Sequence, residues 1–227
     1  MSRSRLATVA TVVLLGVAAC GSSSKNVSAS AGSSLVGLFQ IGAGACASGG
    51  VNGSYFKMVQ PGGTVDAGPY VSNPDSSCAD QSITPLSPGA DGGLRTGAYQ
   101  PQPDPPFAAN GGSASAAVIK PVGFFAVGFG ISTNAKDPQT GNTVPIPRVD
   151  RSATKLTGDL SALSVSWNQQ QFNQGSPKPN GKGTPDLHGT YDEGTGAYTL
   201  DWTSLIEGGP FNGFTGVWHL AGTFRPA

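Results

Sequence analysis

Charge is what this chain has least of. Asp, Glu, Lys and Arg make up 11% of its 227 residues, 13 basic against 13 acidic. There is no basic stripe, so the electrostatic footprint of a nucleic-acid-binding protein is missing, and nucleic acid is not an expected partner. Methionine and histidine occur twice each, cysteine three times, and no Cys-x-x-Cys pair exists to carry dithiol chemistry. Helical periodicity is absent too. No window places apolar residues at i, i+3, i+4 and i+7 without an intervening Gly or Pro, and the chain holds 34 Gly and 18 Pro, which break helices. The longest apolar run, Leu6 to Ala19, falls short of the ~20 residues that a spanning helix needs.

What is there begins at the N-terminus. "MSRSR" supplies two arginines, "LATVATVVLLGVAA" is a short apolar core, and Cys20 follows small residues. This order predicts a secretory signal peptide over 1–19. Val17-Ala18-Ala19-Cys20 resembles a bacterial lipobox, which implies cleavage before Cys20 and a diacylglyceryl group on its sulfur. "GSSSKNVSASAGSS" has no apolar period and predicts a flexible tether over 20–34. A lipid of several acyl chains anchors without a spanning helix, because each buried methylene adds about 0.8 kcal/mol. The predicted location is the bacterial cell envelope, outside the cytoplasm, with the membrane as a partner through the lipid. Without Arg3 and Arg5 the charge balance becomes 11 basic against 13 acidic residues.

Two cysteines then remain, Cys46 and Cys78. In an oxidising compartment an even pair is expected to form a disulfide. It would close a loop of about 33 residues, for which chain entropy gives roughly 3.7 kcal/mol.

Residues 35–227 have the length of one domain. Candidate strands are 35–41, 53–59, 92–99 and 115–133. The last reads as one strand with Phe125, Val127, Phe129 and Ile131 on one face. Residues 155–172 change parity: Leu156 and Leu160 lie on one phase, Leu163, Val165 and Trp167 on the other, so a corner near Ser161–Ala162 is predicted. A meander follows over 186–192, 197–206 and 217–225. Segments 61–92, 100–115 and 134–150 read as long loops, the expected surfaces for contact with a ligand. The predicted fold is all-β, an antiparallel sandwich or flattened barrel with long Gly/Pro-rich loops.

In the meander the faces separate by strand alternation. Tyr198, Leu200, Trp202 and Ile206 share one face, as do Trp218, Leu220 and Phe224, and Leu187 and Tyr191. These predict the core, and both tryptophans belong to it. The opposite faces carry His188, Asp201 and His219. If the "EGTG" turn sets Asp192 opposite Ala197, His188 faces Asp201; a loop centred near Phe211 brings Asp201 to His219 or its diagonal neighbour. Two imidazoles and a carboxylate in a row are a candidate divalent-metal set, against the alternative of three solvated residues on a wet face. No other cofactor is expected.

Other chemistry finds little footing. No Gly-x-Ser-x-Gly elbow is present. "GAGACASGG" lacks the lysine and following helix of a phosphate loop and reads as a plain loop. The acidic turns "NPDSSCAD" and "DPQTGNT" lack the full spacing of a calcium loop.

The segments "NGSYFKMVQPGG", "WNQQQFNQGSPKP" and above all "GGPFNGFTGVWHL" resemble those of a group of uncharacterised bacterial secreted and surface proteins. In that group similar Trp- and Gly-rich β segments often precede a C-terminal sorting anchor. This sequence ends at "FRPA" without an apolar tail, and the N-terminal lipid is expected to replace that anchor. The resemblance implies an extracytoplasmic β body and brings no catalytic residues. The expected function is a binding or structural module of the envelope, with a cell-envelope glycan or a protein as ligand. The alternative is an envelope hydrolase or metal-dependent enzyme using His188, Asp201 and His219.

Overall fold

The computed structural model describes residues 32–182 and 187–227. The signal peptide, Cys20 and most of the expected tether lie outside the described residues.

Every regular element described is a strand. In chain order these are β1 (Ser33–Ser34), β2 (Gly37–Ile41), β3 (Ala45–Ala47), β4 (Gly50–Asn52), β5 (Tyr55–Thr64), β6 (Gly68–Tyr70), β7 (Thr84–Pro85), β8 (Gly93–Thr96) and β9 (Val122–Phe124). They continue with β10 (Val127–Thr133), β11 (Arg148–Ser152), β12 (Lys155–Asp159), β13 (Leu163–Trp167), β14 (Gln170–Asn173), β15 (Leu187–Tyr191), β16 (Ala197–Leu205) and β17 (Thr215–Pro226). All pairings between them are antiparallel. The larger sheet has 11 strands and runs β1-β11-β12-β15-β16-β17-β2-β8, with β5 also on β17 and carrying β6 and β7. A four-stranded sheet, β14-β13-β10-β9, lies against it, and β3-β4 form a separate hairpin. The fold is the expected all-β arrangement, with the large sheet curled as a half-barrel.

β17 organises the larger sheet. Along one edge it pairs with β16 from Leu205↔Thr215 to Ala197↔Thr223. Along the other edge it changes partner: Thr215–His219 face β5, and Gly222–Pro226 face β2. One strand therefore joins two neighbours that diverge, which curls the sheet around its inner face.

The alternation in the meander holds. Tyr198, Leu200, Trp202, Ile206, Trp218, Leu220, Phe224 and Leu187 are all buried. Trp202 and Trp218 stack with ring centroids 5.8 Å apart and planes 10° apart. Trp218 meets Phe56 at 4.4 Å, and Phe56 meets Phe124 and Phe129 of the smaller sheet at 5.9 and 5.6 Å. This aromatic chain couples the two sheets. Both indoles are satisfied by Gln174: its carbonyl accepts from Trp202 Nε1 at 2.8 Å and its side-chain oxygen from Trp218 Nε1 at 3.3 Å. A Cβ on Gly216 would lie 2.3 Å from that same Gln174 oxygen, so a side chain there would push Gln174 off the Trp218 indole. The third tryptophan, Trp167, is also core and donates to the Phe124 carbonyl at 2.8 Å.

The parity change in 155–172 is a corner between sheets: β12 belongs to the larger sheet and β13 to the smaller. Leu156, Leu160, Leu163, Val165 and Trp167 all reach one core because the chain crosses between layers there.

Several expectations are corrected. Residues 115–133 are not one strand. Positions 115–121 are irregular, and β9 turns into β10 at Phe125–Ala126, with φ of 51° and 62°. A two-residue turn of this kind needs positive φ at both positions, usually signalled by Asn-Gly; Phe-Ala carries no such signal. Phe125 consequently leaves the core face and is 41% exposed. Asn168–Gln169 make the same kind of turn, at 47° and 57°, and start the unexpected β14. The loop assigned to 134–150 ends in β11, and that assigned to 61–92 contains the end of β5, β6 and β7. "GAGACASGG" contains β3 and the first residue of β4. Ser33 and Ser34, assigned to the tether, pair with Arg151 and Asp150. Among the described residues no helix is long and apolar enough to cross a membrane.

Candidate functional site

The outer face of the larger sheet carries the predicted row. The Asp192 amide donates to the Ala197 carbonyl at 2.8 Å, so the "EGTG" turn sets the register as expected. His188 stands opposite Asp201, Asp201 opposite His219, and His219 opposite Tyr55. Asp201 Oδ1 and His219 Nδ1 are 2.6 Å apart, with the side chains 36% and 21% exposed. The Tyr55 ring stacks on the His219 ring at 4.9 Å and 24°. Burial pushes the Tyr55 phenol above its ordinary pKa, and the charges of Asp201 and Tyr70 push the same way.

The row is thus formed, and Asp201 fixes the orientation of the His219 imidazole. A three-ligand cluster is a stricter requirement. Among the described residues no three His, Cys, Asp or Glu side chains come together as a metal set. Asp201 and His219 are hydrogen-bonded to each other, and the aromatic that joins them is Tyr55. Among the described residues no serine or threonine hydroxyl hydrogen-bonds the His219 ring.

Beside Tyr55 lies a cleft of about 620 Å³. Its floor is the outward side of β5, Tyr55 and Lys57, which alternate with the buried Phe56 and Met58. One wall is the β3–β4 hairpin, Cys46 to Val51; the other is Cys78 to Asp80 with Ile83. Lys57 Nζ sits 4.1 Å above the Tyr70 ring, a cation–π contact that orients the ammonium. The Ser82 amide donates to Asp80 Oδ1 at 2.9 Å. Hydrogen bonds from Ser82 hold the Asp80 carboxyl below its usual pKa, with the Lys57 charge acting the same way.

The walls are held by the disulfide. Cys46 and Cys78 are bonded, with Cα atoms 5.2 Å apart. Cys46 lies on a hairpin that buries almost nothing: Ala45, Cys46 and Ala47 are all exposed. Cys78 is buried, in a loop pinned by Asn73, whose amide donates to Thr84 Oγ1 at 3.0 Å and to the Gly123 carbonyl at 2.9 Å. The hairpin base is tied by Gly44 donating to the Leu86 carbonyl at 2.7 Å and Ser54 donating to the Gly42 carbonyl at 3.1 Å. Gly53, at φ 77°, lets the chain double back there, and a Cβ would lie 2.4 Å from the Ala43 oxygen. A two-stranded hairpin is marginal by itself in water. The bond therefore fixes a wall that burial does not hold.

At the far end of β16 a buried lysine makes a second polar cluster. Lys178 Nζ donates to the carbonyls of Leu205 and Asn173 and lies 3.5 Å from Glu207. Burial pushes the Lys178 amine below its ordinary pKa against the pull of Glu207 and Asp137. Glu207 is held below the usual range by hydrogen bonding to Lys182, then Asn180. These contacts tie the 174–182 loop to the end of β16 and have a structural role.

Sequence reasoning located His188, Asp201 and His219 and marked the 61–92 loop that supplies one wall, Cys78 to Asp80 with Ile83, but missed the cleft itself and its floor, Tyr55 and Lys57. A usable signal existed. The first cysteine of the pair sits in a Gly-flanked, small-residue segment with no apolar alternation, and the next long strand candidate after it has Tyr55 and Lys57 on its polar phase. No family model, no curated protein and no solved structure matches the chain.

Proposed function

We propose that this protein is a lipid-anchored binding module of the bacterial cell envelope, with the cleft above Tyr55 and Lys57 as its recognition site. The signal-peptide pattern and Cys20 support the location. One observation supports the site above others: a disulfide holds an exposed, coreless hairpin over a cleft of about 620 Å³. That volume lies in the usual range of ligand pockets, about 300–1,000 Å³. A rigid wall lowers the ordering cost of binding, which is what preorganisation means energetically. The Asp201–His219 pair supports the floor by holding the ring on which Tyr55 stacks.

Gly50 offers a direct test. It lines the cleft, and a Cβ there would meet nothing within 4 Å. Gly50→Trp should therefore leave the fold intact while setting a bulky ring at the rim of the cleft. The full-length protein, kept in detergent, should bind saturably to envelope fragments stripped of lipid, so that retention does not run through the anchor. The Gly50→Trp protein should lose that retention at an unchanged melting temperature. Equal retention of both proteins would contradict the proposal.

A further inference from the structure

The cleft's walls distinguish among ligands. Its charged groups are one cation, Lys57, and one carboxylate, Asp80, close enough for the lysine charge to act on the carboxylate. A strongly anionic ligand would meet Asp80, and a cationic one would meet Lys57. The lining also carries the aromatic Tyr55 and the aliphatic Val51 and Ile83, so a purely polar ion is poorly matched. An extended peptide binds by adding to a free row of strand amides and carbonyls. Here both strands of the hairpin line the cleft together with its turn, Ser48–Gly49, so a face of the hairpin and not a lone edge meets the space.

We infer that the cleft takes a saccharide of two to three rings, resting on Tyr55 and hydrogen-bonded through its hydroxyls to Asp80 and Lys57. A sugar ring is neutral, with apolar C–H faces that suit an aromatic and hydroxyls that both donate and accept. An ionised carboxylate accepts only, and an ammonium donates only, so the pair reads two roles of the ligand's hydroxyls. Charge-assisted hydrogen bonds of this kind are about twice as strong as neutral ones. Tyr55 is a firm platform because His219 backs its ring and Asp201 in turn holds His219. This inference rests on the reading of the cleft as a recognition site.

The test is calorimetric titration of the full-length protein in detergent with chitotriose, cellotriose and maltotriose, and with tetra-alanine as the peptide control. The expected result is saturable binding of at least one trisaccharide and none of the peptide. Asp80→Asn and Lys57→Met should each weaken it tenfold or more, and Gly50→Trp should abolish it. No saturable binding of any trisaccharide at millimolar concentration, in a protein that still binds envelope fragments, overturns the saccharide assignment and leaves the recognition cleft standing. Saturable tetra-alanine binding that Gly50→Trp removes has the same meaning. Trisaccharide binding that Gly50→Trp, Asp80→Asn and Lys57→Met all leave unchanged overturns the placement of the sugar in this cleft.

Discussion

Two hairpins of this protein are held in opposite ways. β16–β17 pairs nine residues on each strand and turns its inner face wholly into the core, with Trp202 and Trp218 stacked at its centre. β3–β4 pairs three residues on each strand, exposes all of β3 and is tied to the body by one covalent bond and by backbone hydrogen bonds at its base. The first is fixed because removing its side chains from water is favourable, by about 25 cal/mol per Å² of apolar surface. The second gains little from burial. Its position is set by a constraint that acts whether or not any surface is buried. A segment held in this way is free to present its surface to a ligand, since none of that surface is needed by the core.

The largest effect should come from breaking the first hairpin. Trp218→Ala removes a buried indole that contacts Trp202, Phe56 and Phe129, and leaves the Gln174 oxygen without its donor. A loss of about 3–5 kcal/mol is expected, read from urea unfolding. Loss below about 1 kcal/mol would show that the two sheets are not coupled through this ring.

Breaking the second hairpin should cost somewhat less and act elsewhere. The double variant Cys46→Ser, Cys78→Ser should lose about 3.7 kcal/mol or somewhat less, chiefly through the freedom regained by the unfolded chain. Its envelope retention should fall far more than that of a core variant of equal stability. Parallel loss in both would contradict the separation of roles.

The smallest effect concerns pH and sharpens the contrast from the core side. Burial raises the Tyr198 pKa well above the ordinary value of 10.0. The folded state then keeps a proton that the unfolded state gives up. The stability that results is fully present below pH 10 and is lost as pH rises above it. Tyr198→Phe removes the ionising group and the hydrogen bond to the Gln40 carbonyl at 3.2 Å. At neutral pH it should cost about 1 kcal/mol. Above pH 10 its stability should fall less steeply than that of the wild type, with Tyr55 supplying a remaining share. Equal slopes in urea midpoints across that range would count against a buried, protonated Tyr198.

The same contrast explains what was legible in the sequence. The meander could be read because burial on one side imposes a period of two, and the four-residue turn after Asp192 fixed which residues face each other. The corner at Ser161–Ala162 was visible as a break in that period. Phe125–Ala126 was not visible, since its positive φ values are set by the flanking strands and not by the residues' own preferences; Asn168 suits a positive φ, but Gln169 lacks the glycine that completes the usual signal. The double partnership of β17 depends on contacts with β2 and β5, more than 150 residues earlier in the chain. The cleft was hidden for the opposite reason. Residues that a core does not constrain show no period, and Cys46, Gly50 and Asp80 reveal a common site only once the bond has brought their segments together.

The most direct test of the account is amide hydrogen exchange on the full-length protein, with the disulfide intact and reduced. The prediction is that reduction brings the β3–β4 amides to nearly unprotected rates, while those of β16–β17 stay protected and shift only by the global loss of stability. If β3–β4 keeps its protection after reduction, the hairpin is held by its own packing, and the bond does not shape the cleft.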